Sequence, residues 1–350
     1  MGYRKKQQQK MKKQRLSLHR RTRSISNKQR PILPIDAKAA MFFSWVAYKS
    51  VSDNEKNLID TSYSEHNGHN RLKDMGVWKI TNQIIRNTKI VRAHVVIAKC
   101  EERKTTIIAF RGTELDHSDP RGTVEDWIFG ALNAKLVLWD EDHPSMGKCH
   151  RGFKIHFEDL KEEVSDEVDL AKLQGHNIVL TGHSQGASLA SLAMLSAVER
   201  SNNQNDNLSL ITFGCPRPGN SVFVDYYALT VKSSAVWHFI TSFPSSVPTV
   251  DLITCIPPST MRYKKQKCGK FIYIKSQRKY YGNPDPITGI DFQGATRVLD
   301  ILGAHYQQNY MDGLLFDNEL SHEPFFEPVT NRIRQKRRNL LKRRVKNIVQ

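Results

Sequence analysis

The stretch from Ile178 to Ala190 reads IVLTGHSQGASLA: a β-branched apolar run, then Gly-His-Ser-Gln-Gly, then small and apolar residues at helical spacing. This order predicts a strand that turns sharply into a helix with Ser184 at the corner, a nucleophile elbow. Side chains two positions either side of the serine would collide with the strand and the helix, and Gly182 and Gly186 remove that collision. The turn lifts the serine hydroxyl to the carboxyl edge of a sheet, where the first helical amides meet a developing oxyanion. An ordinary glycine-rich strand-helix turn carries the same five letters, so context has to decide. Here Ala187, Leu189, Ala190, Leu192, Ala193 and Leu195 give the following helix a packing face.

Outward from the elbow, strand and helix patterns alternate. Asp36 is placed to cap a helix from Ala37 to Tyr48, with Met41, Trp45 and Tyr48 on one core-facing side. Val77 to Ile80 reads as a short strand, and Ala93 to Cys100 and Thr105 to Phe110 as a hairpin. The second of these ends in Phe110-Arg111-Gly112-Thr113, a glycine-containing loop that can present backbone N–H groups to an oxyanion, with the Thr113 hydroxyl beside them. The turn-rich segment from Glu114 to Leu132 carries Trp127, Ile128 and Phe129 and reads as a mobile cover over an apolar pocket or as a packed surface helix. One amphipathic helix is expected from His150 to about Leu173. Strands at Leu208 to Phe213, Ala235 to Thr241 and Phe271 to Ile274, with a helix from Ser221 to Leu229, complete the pattern. The fold class is α/β: a mostly parallel central sheet with helices on both faces, a nucleophile elbow and a lid segment.

The formal charge of +18 is confined to the ends of the 350 residues. Met1 to Arg30 holds twelve Lys and Arg and no acid, and Asn331 to Gln350 holds nine and no acid. Without them 32 basic residues face 35 acidic ones, so the middle carries about −3. Residues 1–30 therefore read as a disordered basic tail, 31–330 as one α/β domain, and 331–350 as a basic helix with Ile333, Leu341, Val345 and Ile348 near one face. The tails suit an anionic membrane surface or a nucleic acid, and equally a solvated or targeting role. Five cysteines, an odd number without metal-ligand spacing, read as reduced thiols of an intracellular protein. No secretory signal or spanning segment is legible, and nuclear, virion-associated and membrane-peripheral settings all fit.

Taken together, the motifs resemble the class 3 lipases, the fungal triacylglycerol lipase-like branch of the α/β-hydrolase fold, over roughly Ala37 to Gly313. The carrying residues are Phe110 to Thr113, Asp126 to Ile128, His150 to Phe153, Gly182 to Gly186 and Gly214 to Asn220. The family often has Leu at the place of Gln185, and an acid that orients the oxyanion hydroxyl at the place of Gly130. The resemblance implies an acid in a segment like Asp-x-Val-Pro-x-Leu-Pro-Pro. Asp251 to Pro258 fits that register with Thr254 for the first Pro, whereas a shorter register would put Ser245 at the acid position. His305 is preferred as the base from the Ser, Asp, His order and the His-x-x-x-x-Tyr that follows, with His322 as its rival by position.

The expectation is a serine-dependent carboxylic ester hydrolase acting on lipid acyl esters, of acylglycerol lipase or phospholipase A type. Ser184 would be the nucleophile, His305 the general base, Asp251 its orienter, and the Thr113 and Gln185 amides the oxyanion hole, with neither a metal nor an organic cofactor required. The alternative is a basic binding protein with an inactive hydrolase scaffold, which the Ser245 register would favour.

Overall fold

The computed structural model describes residues 34, 36–48, 76–87, 92–113, 135–201, 207–243, 249–257, 259–275, 305, 310, 314 and 320–321. Among them the strands are β1 (Lys79–Asn87), β2 (Arg92–Cys100), β3 (Thr105–Phe110), β4 (Leu136–Leu138), β5 (Lys148–His150), β6 (Asn177–His183), β7 (Leu208–Phe213), β8 (Gly219–Asn220), β9 (Val236–Phe243), β10 (Thr249–Val250), β11 (Tyr263–Lys264), β12 (Lys270–Lys275) and β13 (Leu320–Ser321). The main sheet runs β1-β2-β3-β6-β7-β9-β12-β13, with β10 hairpinned onto β9. Its middle five strands, β3, β6, β7, β9 and β12, are parallel, and antiparallel partners flank them.

Both faces of this sheet are buried, which is why its strands read as continuous apolar runs rather than alternating ones. Successive residues of one strand enter opposite cores: Val95 and Ile97 join one cluster, Val96 and Ala98 the other. The first cluster takes in Phe153 and Phe157, Val164 and Val168, Leu189 to Leu195, and Phe223 to Tyr227, from helices Arg151–Glu158, Lys161–Leu173, Gln185–Arg200 and Ser221–Thr230. The second is closed by helix Ala37–Val46, whose Met41 and Phe43 are almost fully buried, together with Tyr310 and Leu314.

Several sequence expectations shift. The strand expected at Val77 to Ile80 is instead the nine-residue β1, paired to β2 with an irregularity between Ile80 and Asn82. As an edge strand with Lys79, Thr81, Asn82, Ile85 and Asn87 exposed, it carries too much polarity to stand out by pattern. The single helix expected from His150 to Leu173 is two, because the Leu160 N–H bonds the nearer Phe157 carbonyl at 2.9 Å and the axis restarts at Lys161. Asp36 stands at the start of helix Ala37–Val46 but makes no capping bond, since its carboxylate pairs with Arg103 at 2.5 Å. A small sheet ordered β11-β8-β5-β4 is also present, its strands of two or three residues being too short for any periodicity to reveal.

Candidate active site

The elbow is built by close approach. Gly182 ends its pairing with Phe110 on one side and Thr212 on the other, and a Cβ on it would stand 2.3 Å from the Gly186 carbonyl carbon. A Cβ on Gly186 would stand 2.2 Å from the Phe110 oxygen, so β3, β6 and the helix after the serine meet with no room for a methyl group. Between them Ser184 adopts φ 59° and ψ −129°, a left-handed conformation that costs a non-glycine residue about 1–3 kcal/mol. The Ser184 N–H bonds the Phe213 carbonyl at 2.9 Å and its carbonyl accepts from Ala187 at 3.0 Å, and these bonds hold the corner.

Thr113 follows β3 on the loop next to this corner. A Cβ added to the neighbouring Gly112 would lie 3.1 Å from Ser184 Cβ. The Thr113 hydroxyl donates to Gln185 Oε1 at 2.9 Å, and Gln185 Nε2 donates to Nδ1 of His156 at 3.1 Å. Gln185 opens helix Gln185–Arg200, so its backbone N–H is one of those that no helical carbonyl takes up.

Asp251 and His305, 54 residues apart, come together with Oδ2 and Nδ1 at 2.6 Å. Asp251 is fully buried. It stands just after β10, where its N–H bonds the Thr241 carbonyl at 3.0 Å and its own carbonyl accepts from the Thr254 hydroxyl at 2.7 Å. Its Oδ1 accepts from the Ile253 N–H at 2.9 Å, and its Oδ2 accepts a second bond, from the buried Tyr310 hydroxyl, at 2.6 Å. Burial, reinforced by the Asp251 charge, pushes the Tyr310 phenol well above its ordinary range, so it stays a donor. The pair lies against the end of β7: a Cβ on Gly214, at φ 59°, would sit 2.7 Å from Asp251 Oδ2 and 2.8 Å from His305 Cε1.

His183, the residue before the serine, ties this pair to the elbow. Its ring stacks on that of His305 at 4.5 Å, with the edge of Tyr310 against it at 5.5 Å. Burial holds its imidazole well below the usual histidine range, and the neighbouring His305 adds to that. A neutral ring has one N–H, and Nε2 must carry it to reach the His305 carbonyl at 2.7 Å, which leaves Nδ1 to accept from the Tyr48 hydroxyl at 3.0 Å. Sequence reading placed Tyr48 in the core and gave no role to His156, His183 or Tyr310. His183 was visible inside the elbow and Tyr310 in the His-x-x-x-x-Tyr spacing. Tyr48 and His156 had no signal, because only the tertiary fold brings them here.

The structure thus brings together Ser184 with Thr113 and Gln185, and Asp251 with His305. Trp127, Ile128, Phe129, Ser245, His322 and both basic tails lie outside the described residues. Among the described residues no group of three or more His, Cys, Asp or Glu side chains is placed to hold a metal ion, and no helix is long and apolar enough to cross a membrane. All five cysteines are free thiols.

A mixed sheet with five parallel central strands and a serine elbow at its carboxyl edge defines an α/β-hydrolase fold. Residues 107–260 match the family described as lipase (class 3). A lipase of Rhizomucor miehei is 27% identical over 182 residues, 51% of this chain and 44% of that protein. A rice protein named phospholipase A1-II 4 is 28% identical over 138 residues, 35% of this chain and 34% of its own length. The chain thus spans less than half the length of these curated relatives. A solved structure described as a triacylglycerol lipase whose catalytic centre is a serine protease triad aligns with a TM-score of 0.53 at 21% identity, covering 68% of this chain and 79% of that one, a likeness of fold.

Proposed function

We propose that this chain is a serine-dependent carboxylic ester hydrolase acting on lipid acyl esters through an acyl-enzyme. The observation that carries the reading is the 2.6 Å pairing of Asp251 with His305 in the same structure that holds Ser184 in a left-handed corner, with the ring of His183, the residue before the serine, stacked on that of His305. In this reading Ser184 attacks the ester carbonyl while His305 Nε2 takes its proton and later returns it to the leaving alcohol. Asp251 fixes the tautomer with the proton on Nδ1 and stabilises the imidazolium that forms. The backbone N–H groups of Gln185 and Thr113 receive the oxyanion, each worth about 3 kcal/mol in the transition state. The buried carboxylate meeting His305 speaks against an inactive scaffold, which would leave the acid position to Ser245.

The names of the relatives support a lipid substrate and span two kinds, a triacylglycerol lipase and a phospholipase A1. A fluorophosphonate probe tests the reading: wild-type protein is labelled, and Ser184→Ala and His305→Ala are not. An unlabelled wild type would sink it. Hydrolysis of triacylglycerol, monoacylglycerol and phosphatidylcholine of matched acyl length then separates the substrate classes. Trp127, Ile128 and Phe129 belong to the same proposal as the cover of the acyl site. The basic tails belong to it as the contact with an anionic membrane or a nucleic acid, in an intracellular setting. Retention on anionic vesicles that falls steeply with salt and vanishes on deletion of both tails is the expected result; the same behaviour on RNA alone would assign the tails to nucleic acid.

A further inference from the structure

A two-amide oxyanion hole needs only the backbone of Gln185, yet its side chain is bonded at both ends, to the Thr113 hydroxyl and to His156 Nδ1. A hydroxyl owns one proton. As arranged, the Thr113 proton points at Gln185 Oε1, so this hydroxyl offers an oxyanion nothing but lone pairs. A half-turn of the carboxamide exchanges its donor and acceptor faces. Nε2 then donates to Thr113 Oγ1, the Thr113 O–H is released to point toward the oxyanion, and Oε1 faces His156, which must present Nδ1–H. The proton on His156 and the proton on Thr113 are therefore linked through one amide.

We propose that the Gln185 side chain is a positioning residue that sets the direction in which the Thr113 hydroxyl donates, and that His156 selects which face of the carboxamide Thr113 meets. The inference rests on the ester-hydrolase reading and adds to it a third, switchable oxyanion donor.

The test is a kinetic cycle on the full chain with p-nitrophenyl butyrate: wild type, Gln185→Leu, Gln185→Glu, Thr113→Val, and each change at 185 combined with Thr113→Val. Glu is nearly isosteric with Gln, but both of its oxygens accept and keep the Thr113 proton turned away. Its kcat should fall about thirtyfold with KM within twofold, against about threefold for Leu. With Thr113→Val present, the Glu penalty should shrink at least fivefold and the Leu penalty should disappear. His156→Phe should cost as much kcat as Gln185→Leu and add nothing to it. Penalties at 185 that persist unchanged in the Thr113→Val background, or that fall on thermal stability and KM instead of kcat, overturn the proposal. Fluorophosphonate labelling of the wild type separates the two failures: additive penalties in a labelled enzyme overturn the switch alone, whereas an unlabelled wild type removes the ester-hydrolase reading and the switch with it.

Discussion

Asp251 has no exposed surface, and its carboxylate takes three hydrogen bonds, from the Ile253 N–H, His305 and Tyr310. Thr113 and Gln185 are only half-buried, and the bond between them joins groups that can each turn to another partner. In the proposed site the acid–base side is fixed by burial and redundancy, the oxyanion side by two reversible bonds through one carboxamide, Thr113 to Gln185 and Gln185 to His156. A buried charge must be held in one geometry because every alternative leaves it unpaired in a poor solvent. A hydroxyl and a carboxamide near the surface have alternatives at little cost, so that side is the one open to adjustment.

The largest effect should come from breaking the fixed side. Asp251→Asn should lower kcat by about 10⁴-fold while leaving KM near its wild-type value, because the amide cannot hold the Nδ1–H tautomer of His305. A loss below a hundredfold in burst-phase measurements would mean another group orients His305.

Next comes acid sensitivity of the buried interior. His238, bonded to Thr212 at 2.6 Å and to the Cys268 carbonyl at 3.0 Å, is pushed down to about 4 by burial. Its ordinary value of about 6.5 applies to the unfolded chain, which therefore binds the proton first between pH 6.5 and 4. Stability is full above pH 6.5 and lost as pH falls through that window, by up to roughly 3 kcal/mol. Urea midpoints at pH 7 and 4.5 check this: the drop should be smaller in His238→Gln, and equal drops in both proteins would exclude His238 as the cause.

Smaller again is Tyr310→Phe, which removes one of the three bonds to Asp251 and should cost about 1.5–3 kcal/mol in chemical denaturation with activity retained. An unchanged midpoint would show that water or another donor replaces the phenol, and the contrast between the two sides would weaken. The smallest effect belongs to the adjustable side: Gln185→Leu should lower kcat about threefold, read at saturating ester.

The fold was legible wherever burial on both sheet faces writes an unbroken apolar run, as at β2, β3, β6 and β7. It was obscured at β1, an edge strand of mixed polarity, and at the break between Glu158 and Lys161, where one tighter turn leaves the helical spacing intact. The elbow was legible because backbone contact at 2.2–2.3 Å from a notional Cβ admits only glycine at 182 and 186. Asp251 and His305 were legible as candidates through order along the chain and motif resemblance. Their pairing was not, since 54 residues of sequence carry no distance.

Local sequence therefore determined the strand-turn-helix at Ser184, because its sterics act between residues a few positions apart. Tertiary structure alone decided that Tyr48 meets His183, that Tyr310 meets Asp251, and that Gln185 joins Thr113 to His156. Those contacts depend on how strands and helices far apart in sequence stack across the sheet, and each polar partner is chosen by what is near once water has been excluded.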